Sequence, residues 1–282
     1  MTGVLVFALA GVATGWAVRS FLGPVFALPQ LARQNYRGHT VATAAGVVVP
    51  IAALLVEGAR AFLASLDVGH HVTPARALVL LAGVGFGLLG LIDDLVGTGH
   101  ARGFRGHLGE LARGRLTTGG LKLVGGIAVG LVVAGVPDAH APGRLLVDAA
   151  VVALAANLAN QLDRRPGRTT KVAVVAFAAF AALVATTSSR DVVEAVAVAV
   201  GATVALLLDD LRERFMLGDV GANAVGASLG AGVVLAISFP ARLGVLVGLA
   251  VLNVVGELSS FTRLIDAVPP LRALDRAGRR NR

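Results

Sequence analysis

Two adjacent carboxylates, Asp93 and Asp94, close the apolar run Gly87-Leu88-Leu89-Gly90-Leu91-Ile92. Neighbouring carboxylates repel, so such a pair persists only in water or beside a cation, and a divalent metal is the usual neutraliser. Taken alone, the pair reads equally well as the polar end of a membrane helix. Further polar groups follow. Lys122 ends the stretch Thr117-Thr118-Gly119-Gly120-Leu121-Lys122, and Asn157, Asn160 and Asp163 recur at steps of three, which keeps them on one side of a helix. Asp209-Asp210 precede Leu217-Gly218-Asp219-Val220-Gly221-Ala222-Asn223, whose glycines let backbone approach a ligand just before a helix begins. Carboxylates, cations and glycine turns gathered in this way suit a metal-bound pyrophosphate. The acids hold the metal, the cations neutralise phosphate oxygens, and helix N-termini add donors. Acids without His or Cys clusters favour Mg²⁺, or Mn²⁺, over zinc.

The elements that carry these residues follow from composition. Of 282 residues, 56% are hydrophobic and 15% charged, and the mean hydropathy is +0.79. A soluble domain of this length could not hide so much apolar surface, so the expected fold is an all-α polytopic membrane bundle, a single domain over 1–282. The formal charge of +8 points to cytoplasmic loops and to anionic lipid or phosphate, and away from nucleic acid. No Cys is present, which excludes disulfides, thiolate catalysis and Cys-ligated zinc.

Apolar segments of spanning length fall at about 3–23, 42–64, 76–92, 120–136, 145–161, 172–188, 192–208, 222–238 and 243–258. Several are near the short limit. The stretch Met1 to Val12 has no basic n-region, so the first segment reads as an uncleaved span. Alternate loops at 24–41, 93–119, 162–171, 209–221 and 259–282 hold 18 Lys and Arg, whereas the loops between them hold 0, 1, 1 and 1. The positive-inside rule then sets the N-terminus outside and the C-terminus in the cytoplasm. Every polar group above falls on that cytoplasmic side, as does a basic tail over 259–282 whose arginines read as resting on anionic lipid.

In their order and spacing these pieces resemble the polyprenyl-phosphate N-acetylhexosamine-1-phosphate transferases, which include the phospho-N-acetylmuramoyl-pentapeptide transferases and the GlcNAc-1-phosphate transferases of cell-envelope synthesis. The pieces are Asp93-Asp94 after the third span, Gly120-Leu121-Lys122 opening the fourth, Asn157-x-x-Asn160-x-x-Asp163 ending the fifth, and Leu217 to Asn223 leading into a later one. The resemblance implies transfer of a sugar-1-phosphate from a UDP-sugar to a polyprenyl phosphate at the cytoplasmic face of the plasma membrane, with release of UMP. It gives Asp219 the role of metal ligand and gives Asp93 and Asp94 the handling of the lipid phosphate. Lys122, Asn157, Asn160, Asp163 and Asn223 become substrate-binding residues, the cofactor Mg²⁺ or Mn²⁺, and a homodimer one assembly it allows.

The chain departs from that family where a second Asp is usual after the fifth span, since it reads Asp163-Arg164-Arg165-Pro166-Gly167, and no His follows His140. Two alternatives stay open: a catalytically degenerate relative, or a lipid-linked-sugar transporter that binds a lipid phosphate without transfer. Among the remaining polar residues, Arg19 reads as a snorkelling anchor and Glu57 with Arg60 as a pair on the second span. His39, His100 and His107 are cytoplasmic and within reach of phosphate, while His70 and His71 lie in an outside loop.

Overall fold

A computed structural model describes residues 2–97, 109–110, 113–114, 117–136 and 141–279. His100, His107 and His140 lie outside the described residues, as do the segment 103–107 and the tail arginines Arg280 and Arg282. Among the described residues nine long helices account for the nine apolar segments: α1 (Thr2–Phe21), α2 (Val48–Ala64), α3 (Pro74–Val96), α4 (Thr118–Gly135), α5 (Pro142–Leu162), α6 (Arg168–Leu183), α7 (Arg190–Val204), α8 (Gly218–Ala236) and α9 (Phe239–Leu258). Two short helices, α10 (Phe261–Ala267) and α11 (Pro269–Arg276), follow. The chain is an all-α polytopic membrane protein.

Eight helical stretches among the described residues are long and apolar enough to cross a bilayer, and α6, at 16 residues, is not one of them. It nevertheless runs between the two ends of the bundle. Its first turn follows Asp163, beside the start of α8, while the next helix begins near Arg76 at the far end, because Glu194 of α7 reaches that guanidinium. A sixth passage therefore keeps the alternation of ends that the basic loops predict.

Helix α8 is the axis. Most of its residues are buried, and it packs against α3, α5 and α7. Its sequence explains this, since Gly, Ala and Ser let neighbouring backbones approach closely where a bilayer offers no hydrophobic force between helices. The approach is close opposite α3, where a Cβ on Gly90 would overlap the backbone of Asp219 and Val220. Gly90→Ala should therefore push α3 off the start of α8 and destabilise the bundle by about 1–3 kcal/mol. The check is a melting curve of the purified protein in detergent, and an unchanged midpoint would show that this contact yields freely.

The segment before α2 is not plain loop. Strand β1 (Ala32–Gln34) pairs antiparallel with β2 (Thr40–Ala42), and this hairpin is laced to the connection preceding α8. Met216 N–H donates to Ala42 O at 2.7 Å, and Gly46 N–H to Leu217 O at 2.8 Å. These bonds satisfy backbone groups that would otherwise be orphaned near the membrane boundary, and they fix the first turn of α8.

The far end of the bundle holds a buried ion cluster. Arg76, fully buried, donates to both Glu57 oxygens at 2.6 and 3.0 Å and to Glu194 at 3.2 Å, with its guanidinium 4.4 Å from the Phe7 ring centroid. Glu57 is thus partnered by Arg76 on α3. The expected pairing with Arg60 does not form; Arg60 donates to His71 O at 3.3 Å. Arg19, still partly exposed, also has a partner in the protein, since it pairs with Asp209, which accepts from Arg214 at 2.7 Å as well. In both cases a carboxylate and a guanidinium distant in sequence pair, and for the buried Glu57 and Arg76 an unpaired charge would be costly.

Candidate functional site

The last turn of α3, the first turn of α4, the last turns of α5 and the first turn of α8 meet at one end of the bundle. Local chemistry places each. Thr117 caps α4, its Oγ1 accepting from Gly120 N–H at 3.0 Å, which starts the helix one turn before Lys122. The C-terminal carbonyls of α3 accept from Arg33, with Nη2 at 3.1 Å from Asp94 O and 3.4 Å from Leu95 O. A cation at that helix end complements its dipole. Arg33 was not anticipated. A basic residue beside a helix C-terminus carries a signal only once the fold brings the two together.

Lys122 stands at the centre. Its Nζ donates to Asp93 Oδ2 at 2.8 Å and to Asp219 Oδ2, and Asp219 also accepts from Asn160 Nδ2 at 3.1 Å. Four helices thus contribute to one polar knot. Two carboxylates against one ammonium leave a net negative charge at the knot, the condition under which a cation is attracted. The knot lines the polar end of a cleft of about 550 Å³, together with Asn157, Asn223 and Glu257. Its remaining walls are largely apolar, with Phe86, Leu89, Leu123 and Ile127 among them.

Asp94 and Asp163 are placed differently. Neither lines the cleft. Asp94 accepts from Val220 N–H at 3.0 Å and from Thr43 Oγ1 at 3.3 Å, and Asp163 accepts from Gly218 N–H at 3.0 Å. The two carboxylates therefore occupy amide donors in the first turn of α8, where the helix dipole favours negative charge. Donors expected to face phosphate therefore face the protein's own acids. Gly218 has φ of 75°, the left-handed backbone that glycine adopts without strain, which makes this turn possible.

Burial, then the charges of Asp210 and Asp219, push the Asp163 carboxyl well above its usual range. Its charged form is the disfavoured one, so a neutral side chain of the same shape should serve. Asp163→Asn is expected to keep the bundle's melting midpoint close to that of the parent. Asp163→Ala, which strands Gly218 N–H, should cost about 1–3 kcal/mol. Equal losses in both would mean that Asp163 acts through its charge.

The remaining expectations divide. Asn157 lines the cleft and also donates to Asn253 Oδ1 on α9 at 2.6 Å, so it both faces the site and ties two helices. Asn223 is buried against the cleft. Asp209 and Asp210 do not join the knot: Asp209 holds Arg19, and Asp210 accepts from Gly167 N–H at 2.7 Å. His39 is exposed, with Nδ1 at 3.9 Å from Glu213. Sequence reasoning missed Glu257 and Asn253, whose signal was polarity inside an otherwise apolar final span.

Among the described residues no group of three or more His, Cys, Asp or Glu is set for a metal ion. The donor chemistry of Asp93 and Asp219 nonetheless fits Mg²⁺, which binds through one or two carboxylates and completes its shell with water and substrate phosphates. The ammonium of Lys122 already bridges these two acids, so the pair is arranged around positive charge. The chain matches no family model and no curated protein.

Proposed function

We propose that this chain transfers an N-acetylhexosamine-1-phosphate from a UDP-sugar to a polyprenyl phosphate at the cytoplasmic face of the plasma membrane, releasing UMP. One observation carries the reading. Asp93, Lys122, Asn160 and Asp219, drawn from four helices, form a polar knot at the end of a cleft whose other walls are largely apolar. A lipid phosphate has that division, with a charged head and a hydrocarbon chain.

In this reading an oxygen of the acceptor phosphate attacks the sugar-bound phosphorus of the donor. A new P–O–P linkage forms, the bond to the departing phosphate breaks, and UMP leaves with the bridging oxygen. A phosphate monoester is mostly ionised at neutral pH, so the step needs little proton transfer. It depends on in-line positioning and on neutralising charge. Lys122 neutralises phosphate oxygens, and Asp93 orients Lys122 and the incoming lipid phosphate. Asn157, Asn160 and Asn223 offer amide groups to the donor. Asp94 and Asp163 position the rest by holding the first turn of α8. Asp219, with Asp93 beside it, would hold Mg²⁺ or Mn²⁺, which when bound offsets the charge of the diphosphate.

The test is direct. Purified protein in lipid nanodiscs, given polyprenyl phosphate, Mg²⁺ and a panel of UDP-sugars, should release UMP with one donor and only when the lipid acceptor is present. Folded protein that binds the lipid phosphate but releases no UMP with any donor would replace the transferase with the degenerate relative or the transporter.

A further inference from the structure

The chain beyond α9 is not a loose basic tail. Arg168, the first residue of α6 and almost fully buried, grips Asp275 of α11 with two bonds of 2.8 and 3.0 Å and reaches Thr262 of α10 at 3.2 Å. Lys171, one turn on, donates to the carbonyls of Leu274, Asp275 and Ala277 at 3.0, 2.9 and 2.7 Å, closing the C-terminal end of α11. Arg279 then donates to Pro166 O at 3.0 Å. These contacts fall on the first turn of α6 and on the connection 163–167 before it, whose Asp163 accepts from Gly218 N–H at the start of α8.

The other edge of the segment is open among the described residues. Leu274 is 67% exposed and Leu271 49%, with Leu264 and Val268 also open. Leu271 and Leu274, three apart on α11, share one side, while Arg272 and Arg276 project from the other. Arg276 pairs with Asp266 at 2.9 Å, but Arg263 and Arg272 have no carboxylate partner among the described residues. A helix with a leucine edge and an arginine face, separated from a spanning helix only by the short α10, suits the plane of an anionic bilayer surface.

We infer that α10 and α11 form a membrane-seated clamp, with their leucine edge in the bilayer surface, their arginines on anionic headgroups and their inner face holding the 163–167 connection in place. The partner is the anionic lipid of the membrane the chain itself crosses. The inference rests on the spanning fold and does not need the transferase reading. Burial pushes the Asp275 carboxyl up, but the bonds and charge of Arg168, with Arg279, outweigh that and hold it below the usual carboxylate range, so the grip is charged at neutral pH.

The chain has no Cys, so a single cysteine is a clean label site. Leu274→Cys carrying an environment-sensitive fluorophore is compared in phosphatidylglycerol and phosphatidylcholine nanodiscs, each doped with brominated lipid. Strong quenching in phosphatidylglycerol and several-fold weaker quenching in phosphatidylcholine is expected, and R272E with R276E should erase the difference. Equal quenching in both lipids, or none in either, would overturn the anionic surface as partner. For the clamp, ending the chain before Pro269 should speed hydrogen exchange across 163–170 at least severalfold. Asp275→Asn should do so more mildly if the truncated chain fails to fold. Unchanged exchange in the folded variant would refute the clamp while leaving the transferase reading untouched.

Discussion

Asp219→Asn is expected to lower UMP release by a hundredfold to a thousandfold or more, and Asp93→Asn to do nearly the same, with each variant still inserted and folded. The substitution keeps the side chain's shape and removes its charge. Asp219 accepts from Lys122 and Asn160, so its loss leaves Lys122 paired with Asp93 alone and removes a hard oxygen from the position best suited to a metal. A fixed charge aimed at a reacting phosphate is worth roughly 10²–10³ in rate when a single group is deleted. Because such groups act as a unit, the double variant should fall little further than either single one. The measurement is UMP release at saturating donor, normalised to folded protein from a melting curve. Near-parental turnover in either variant would take that residue out of the chemistry. Asp94→Asn offers a contrast: an amide oxygen can keep the bond from Val220 N–H, and the Thr43 hydroxyl at the other oxygen can turn to accept from the new NH2, so a much smaller effect is expected.

Arg76→Met should produce the largest loss of stability in the chain. Arg76 is fully buried between Glu57 and Glu194, so removing it strands the Glu57 carboxylate in a low-dielectric interior and leaves Glu194 with only the exposed Arg190, 2.8 Å away. Breaking a buried pair from one side typically costs about 3–5 kcal/mol, far more than the net worth of the pair, because the stranded partner still bears its desolvation penalty. The variant should therefore melt well below the parent in detergent. Adding Glu57→Gln and Glu194→Gln should recover most of the loss, since neutral side chains of the same size carry no such penalty. A single variant that melts with the parent, or a triple variant that recovers nothing, would show that the cluster does not work through charge.

Much of this molecule was legible in its residues, and the illegible part has a common cause. The spans could be found because hydropathy is local: a bilayer requires apolar side chains over a whole helix length whatever lies beside it. The sixth segment came out short, yet it still passes between the ends that the basic loops assign. The polar positions Asp93, Lys122, Asn157, Asn160, Asp219 and Asn223 stood out for the same reason, as polar side chains at the edges of apolar runs.

What could not be read was which way each of them points. Asp93 and Asp94 are neighbours, but on a helix they lie about 100° apart. Only one can face the cleft, and the rotation of α3 against α8, fixed where Gly90 meets Asp219, selects Asp93. Asp163 continues the step of three from Asn160, but the helix ends there and its carboxylate turns to Gly218 instead. Partners far apart in sequence were equally hidden: Glu57 found Arg76, Arg19 found Asp209, and the arginine-rich tail found Arg168 and Lys171 through Asp275 and its neighbouring carbonyls. Composition and periodicity fix what each short stretch must do against lipid or water, because those forces act on the stretch alone. The pairing of buried charges and the aim of each acid depend on helix rotations and close backbone contacts, and these exist only once the whole bundle has packed.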